Sequence, residues 1–161
     1  MTEPTPRFLP RRIVSGGQTG VDRAGLEAAI AVGIEHGGWC PKGRLSEDGS
    51  IPSRYDLVET DSADYPVRTE QNVIDSDATL ILYESRLKGG SLLTRRLASR
   101  WQKPLLCLKL EAAHPAELRA WIDQMRPATL NVAGPRESTS PGIQQRSLEF
   151  LLQALAPPTS P

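Results

Sequence analysis

Residues 78–83, Ala-Thr-Leu-Ile-Leu-Tyr, run almost without polar alternation. A strand with one face in water alternates apolar and polar residues. A strand buried on both faces does not, and such strands belong to parallel sheets covered by helices on each side. This run therefore asks for helical patterns before and after it, and the chain supplies them.

Upstream, Ile13-Val14-Ser15 predicts a short first strand, and Leu26, Ala29, Ile30 and Gly33 recur at helical spacing, predicting a helix over 21–33. Ile34 to Trp39 reads as a second strand, and a short helix over 67–75 leads into the buried run. Downstream, Leu93, Leu97 and Trp101 lie four apart in a helix over 91–101, followed by a strand from Leu105 to Lys109. Pro115 suits a first helical position, and Leu118, Trp121, Ile122 and Met125 form one apolar stripe. A last strand, Thr129 to Ala133, precedes a helix over 142–155. This alternation predicts an α/β, Rossmann-like fold with a mostly parallel sheet and helices on both faces. One domain spans residues 12–155, with proline-rich flexible tails expected over 1–11 and 156–161. Residues 40–66, rich in Gly, Pro, Ser and Asp, make a loop too long for a plain connection, and are expected to shape a site.

Nineteen basic and nineteen acidic residues balance to a formal charge of zero. No long-range field gathers nucleic acid or an anionic membrane, so neither is an expected partner, and any anionic ligand is held by local geometry. Cys40 and Cys107 are far apart and form no paired motif, which argues against a disulfide framework or a structural zinc site. The first twelve residues lack the apolar core of a signal peptide, and a cytoplasmic location is expected.

Ligands of open α/β sheets bind outside the carboxyl ends of the strands. The glycine-rich and cationic clusters all fall at those ends, whereas opposite loops such as Gln102-Lys103-Pro104 are short and plain. Ser15-Gly16-Gly17-Gln18-Thr19-Gly20-Val21-Asp22 joins the first strand to the first helix and is either a phosphate loop, whose glycines let N–H groups approach an anion, or a plain tight strand-to-helix turn. It lacks the Gly-Lys-Ser/Thr ending of an NTPase loop and the third glycine of the dinucleotide fingerprint. Asp22 either complements the helix dipole or accepts from a ligand hydroxyl or ring nitrogen. After the second strand, Lys42 and Arg44 are candidate oxyanion partners. Arg68 opens a predicted helix, where a cation is disfavoured without an anion nearby; a ligand, Glu70 or Asp64 would each supply one. Lys88-Gly89-Gly90-Ser91 with Thr94 forms a second glycine-rich helix start, Ser91 either capping the helix or donating to phosphate. Arg136 and Ser138 leave the last strand at the same edge.

The segments SGGQTGVDRAGLEAAI, HGGWCPKGR, EDGSIP, RTEQNV, SDATLIL, KGGSLLT and LNVAGPRES, in this order, closely resemble the molybdenum-cofactor carrier family over residues 12–155. The resemblance implies a Rossmann-like protein that binds and protects molybdenum cofactor, a pterin with a terminal phosphate. It also implies a homo-oligomer, dimer or tetramer, and a molybdoenzyme or cofactor-insertion protein as recipient. No dedicated metal site on the protein is expected. That family is similar in turn to the lysine-decarboxylase-like phosphoribohydrolases, which cleave nucleoside monophosphates and are the alternative reading. Arg68, nine residues before Asp77-Ala78, matches their ligand arginine; Lys88 and Leu92-Leu93 depart from their second loop, and Arg96 stands where their catalytic glutamate belongs. Glycosidic cleavage needs that carboxylate, so binding without hydrolysis is the expectation.

Overall fold

A computed structural model describes residues 7–157. The sheet is built of β1 (Arg12–Val14), β2 (Glu35–Gly37), β7 (Ala78–Tyr83), β8 (Leu105–Lys109) and β9 (Thr129–Ala133). All neighbours pair parallel in the order β2-β1-β9-β7-β8. The expected Rossmann-like α/β architecture is present, with β9 filling the middle of the sheet. Among the described residues five helices cover it: α1 (Val21–Val32), α2 (Tyr65–Ile74), α3 (Gly89–Arg100), α4 (Pro115–Met125) and α5 (Ile143–Leu155).

Helices α1, α4 and α5 pack together on one face, where Ile13, Leu80, Leu82, Leu130 and Val132 of the sheet meet Ala24, Ala28, Leu118, Ile122 and Leu151. Helices α2 and α3 pair over the other face around Val73, Leu97 and Ala98. Residues 79–82 are buried throughout, as a strand covered on both sides requires. Pro115 does sit at the start of α4, and His114 with Glu117 closes a reciprocal cap there.

The expected second strand divides. β2 stops at Gly37, and Gly38 takes φ +124, a conformation that L side chains rarely adopt; a Cβ there would stand 2.3 Å from the Ser15 carbonyl oxygen. The turn sends β3 (Trp39–Cys40) out of the main sheet to pair with β6 (Val58–Glu59). The expected loop over 40–66 thus contains short strands, including the β4–β5 hairpin (Leu45–Ser46, Gly49–Ser50). Period analysis misses two-residue strands because they are too short to show any period.

Ahead of β1, Phe8 packs on the main core and its ring lies under Arg126, while Arg7 donates to the Ala154 and Ala156 carbonyls at the end of α5. The tail expectations for residues 1–6 and 158–161 lie outside the described residues. Among the described residues no helix is long and apolar enough to cross a membrane.

Candidate functional site

The carboxyl ends of β1, β9 and β7 open into a cavity of about 420 Å³. That volume lies in the range of small-molecule sites. Its wall gathers Gly16, Gln18 and Asp22 from the first loop, Arg68 and Asn72 from α2, Lys88 through Ser91 and Thr94 from α3, and Asn131 through Arg136 from the end of β9. Of the residues singled out from sequence, Gly17, Thr19, Gly20, Lys42, Arg44 and Ser138 do not line it.

The two glycine loops differ. In the first, every N–H from Gly17 to Val21 already has a protein acceptor. Gly17 donates to Ser15 Oγ, Gln18 to Asp22 Oδ2, Thr19 to Gln18 Oε1, Gly20 to Gln144 Oε1 and Val21 to the Pro135 carbonyl. This loop is internally satisfied rather than an open anion cradle. At the second, Lys88 is the N-cap of α3 and no side chain caps the helix. Ser91 lies one turn inside, because the helix begins at Gly89 rather than at residue 91; its expected capping role goes unfilled. Thr94 spends its hydroxyl on the Gly90 carbonyl at 2.8 Å. The Ser91 N–H donates to the Lys88 carbonyl at 3.2 Å, so the dipole and the N–H groups of Gly89 and Gly90 are what α3 leaves uncapped beside the cavity.

Arg68 occupies the fourth position of α2, which starts two residues earlier than the sequence suggests. The guanidinium is buried, donates from Nη1 to the Gly16 carbonyl at 2.9 Å, and lies 3.7 Å from Asp22 Oδ2. Its nearest acid is thus Asp22, not Glu70 or Asp64. Gly16 has to be glycine for this approach, since a Cβ would meet Arg68 Nη1 at 2.0 Å. Burial pushes the Asp22 carboxyl above the usual carboxylate range, with the charge of Arg68 the chief opposing influence. The Tyr65 ring lies beneath both Arg68 and Arg136, with guanidinium carbons 5.1 and 5.4 Å from its centre. Nothing in the sequence pattern marked Tyr65.

Gln18 is 5% exposed. Its Oε1 accepts from Thr19 N and Glu47 N at 3.1 and 2.9 Å, which fixes the amide orientation and leaves Nε2 buried with no partner. Asn131 and Asn72, both missed from sequence, are buried in the same wall. Asn131 bridges to Thr79, and Asn72 clamps both backbone groups of Trp39.

Thr19 and Ser138 meet at the rim instead. Both hydroxyls donate to the Glu47 carboxylate, which also accepts from Ser138 N at 3.1 Å. Beside it, Arg23 holds Asp48 through two nitrogens at 2.7 and 2.9 Å. The β4–β5 hairpin is thereby tied to the first glycine loop. Lys42 is exposed away from the cavity, and Arg44 is spent on the Pro52 and Tyr55 carbonyls. Cys40 is buried with Leu26, Ile51, Tyr55 and Leu57. Among the described residues no three His, Cys, Asp or Glu gather to hold a metal.

Comparison with known proteins supplies a lineage. No curated protein matches the chain. The crystal structure of a protein described as "putative molybdenum carrier protein" from Syntrophus aciditrophicus SB superposes with a TM-score of 0.90 at 42% identity, covering 94% of this chain and 98% of that one. Residues 13–155 match the family described as circularly permutated YpsA SLOG. A sheet whose central strand is the last in sequence accords with such a permutation. By that match over residues 13–155, the chain belongs to the circularly permutated YpsA SLOG family.

Proposed function

We propose that the cavity binds molybdenum cofactor, a phosphate-bearing pterin, and that the chain carries and protects this ligand rather than converting it. The observation that supports this reading is the chemistry of the wall. Lys88 and Arg136 form no ion pair among the described residues, and no side chain caps α3. A wall rich in unpaired donors suits an oxyanion with carbonyl neighbours. Lys88, Gly89, Gly90 and Ser91 would hold the phosphate, with Arg136 at the flank. The cargo's metal would travel with the pterin. The structural relative's carrier description points the same way.

A hydrolytic role fits less well. Asp22 is the one acidic residue in the wall, and it is committed to Arg68 and the Gln18 N–H. Arg96, at the position of the phosphoribohydrolase glutamate, is exposed on α3 and outside the cavity. The reading extends to a two-fold homo-oligomer of the 17.6 kDa chain and to a molybdoenzyme or insertion protein as recipient.

The test is protection. Cofactor released from a molybdoenzyme is mixed with the purified chain, and its capacity to reconstitute the apo-enzyme is followed over time. Slower loss of that capacity is expected. Unprotected decay, with free base released from nucleoside monophosphates, would favour the hydrolase.

A further inference from the structure

We propose that the open edge of β8, together with the groove beside it that α3 helps to line, is a docking face for an extended acidic segment of a partner protein. This goes beyond the cavity and does not depend on what the cavity holds.

Among the described residues β8 ends the sheet and pairs with β7 alone. Its hydrogen bonds fix which groups point outward. Thr79 N donates to the Pro104 carbonyl at 3.0 Å and Leu110 N to the Tyr83 carbonyl at 2.9 Å, so the even-numbered residues of this stretch face β7. In a parallel ladder the N–H and C=O of one residue point the same way, and the direction alternates along the strand. Leu105, Cys107 and Lys109 therefore turn their backbone groups away from the sheet. The Ala112 and Ala113 N–H groups take the Lys109 carbonyl, but among the described residues no backbone hydrogen bond outside the sheet reaches Leu105 or Cys107. Leu105 and Cys107 are half-buried and Lys109 is exposed, so solvent reaches this edge. An unpaired row of main-chain groups is a template for another strand.

Beside the edge lies an open groove of about 510 Å³, whose lining includes Tyr83, Leu87, Leu92 and Cys107 with the exposed Arg86 and Arg95. Cys107 belongs to both, so edge and groove are continuous. The charge here is one-sided. Between residues 84 and 109 the chain carries seven basic residues and one acid, Glu84, which Arg146 already holds at 2.8 Å. Of the seven, only Arg100 has an acid within ion-pair distance among the described residues. The formal charge of zero for the whole chain thus conceals a local basic face.

Edge and charge together select the occupant. A second copy joined β8 to β8 about a two-fold axis would bring two such basic segments together, and like charges across a strand pair repel. A nucleic acid would meet the cations, but it has no N–H and C=O groups at strand spacing to offer Leu105 and Cys107. An acidic polypeptide in extended form uses both features. Its main chain continues the ladder, and carboxylates on alternate residues share one face of the strand, where they can reach Arg86 and Arg95. Arg86 lines the groove and Lys88, two residues on, lines the cavity, so a docked partner stands at the cavity's side.

The full chain is titrated with a fluorescent peptide of alternating glutamate and valine. Three controls accompany it: the same peptide with lysine for glutamate, the acidic peptide N-methylated along one edge, and oligothymidylate. The acidic peptide is expected to bind saturably and the lysine peptide not at all. Arg86→Glu/Arg95→Glu, both changes at exposed positions, should weaken binding about tenfold or more with the melting temperature unchanged, and added salt should weaken it further. N-methylation removes main-chain donors and leaves the carboxylates, and a similar loss is expected. Hydrogen exchange reads the edge directly. The Leu105, Cys107 and Lys109 amides should exchange faster than those of Leu106 and Leu108 in the free chain and slow when the acidic peptide binds. Equal binding of the N-methylated peptide, or unaltered exchange at those amides, would overturn the strand pairing. Oligothymidylate binding tighter than the peptide would make the face a polyanion site, and a double variant that is monomeric where the unmodified chain is not would assign it to copies of this chain; either result overturns the acidic partner. So does the absence of saturable peptide binding at low salt.

Discussion

Arg68→Ala removes one member of a buried charge pair, and the structure sets how much that costs. Arg68 and Asp22 have side chains only 9% and 10% exposed. Breaking a buried pair by deleting one partner usually costs about 3–5 kcal/mol, because the survivor is left charged in a poorly solvated place. Here the separation is 3.7 Å, Asp22 keeps the Gln18 N–H, and it escapes part of the penalty by taking up a proton, so the lower end applies. The lost hydrogen bond to the Gly16 carbonyl adds about 1 kcal/mol. The expected loss is about 3–4 kcal/mol at neutral pH, roughly a 10 °C fall in melting temperature for a domain of this size. The loss should shrink under acid, because protonated Asp22 needs no counter-charge. Urea denaturation of the single variants and of Asp22→Asn/Arg68→Ala, at neutral and mildly acidic pH, measures both magnitude and coupling. A change below about 1 kcal/mol, or strict additivity in the double variant, would refute the view of Arg68 as the partner that makes Asp22 tolerable.

Gly38→Ala, which puts a Cβ against the Ser15 carbonyl at a φ suited only to glycine, should cost about 3 kcal/mol or more and be visible as a lowered urea midpoint. Glu47→Ala frees the rim hydroxyls of Thr19 and Ser138; faster hydrogen exchange and proteolysis confined to residues 41–51 are expected, with little change in global stability. Acid should loosen that hairpin before the core. Arg23 and Ser46 hold the Asp48 carboxyl well below its ordinary 3.8, and Glu47, against some desolvation, is held below 4.5 by Ser138 and Thr19. For depressed carboxyls the contribution is present above those ordinary values and fades as pH falls beneath them. Asp22, shifted upward, behaves oppositely: its burial penalty is full at high pH and relieved as pH falls through its raised native value. Exchange profiles across pH 3 to 7 that show 41–51 as stable as β7 would contradict this order.

The sheet was legible because its strands are either apolar throughout, as Leu80 to Leu82, or bracketed by strong helical periods. Helix starts drifted by two residues at α2 and α3, where Tyr65 and Gly89 carry no capping residue that the chain uses. The rim was not legible: Thr19, Glu47 and Ser138 converge from three separate segments, and nothing in local spacing records a contact across 91 residues. The identity of the open loop was hidden for a related reason. Both loops are glycine-rich, but only the structure shows that Ser15, Asp22, Gln144 and Pro135 consume the N–H groups of the first. Arg68 illustrates the converse. Its place near a helix start pointed to a ligand, Glu70 or Asp64, whereas the acid beside it is Asp22, forty-six positions upstream and beyond the reach of local spacing.

The position of β9 has a consequence for how the protein is made. Until residues 129–133 leave the ribosome, β1 with β2 and β7 with β8 are two separate ribbons, each with a bare edge where β9 will lie. Nascent chains at that stage are vulnerable to pairing with one another, and the pairing that finally joins the halves bridges more than a hundred residues, which slows its formation. The cavity also lacks its middle until then, since Asn131 through Arg136 line it. A ligand that needs this wall can meet it only after translation has passed β9, so binding in the cavity belongs to the finished chain and not to the growing one.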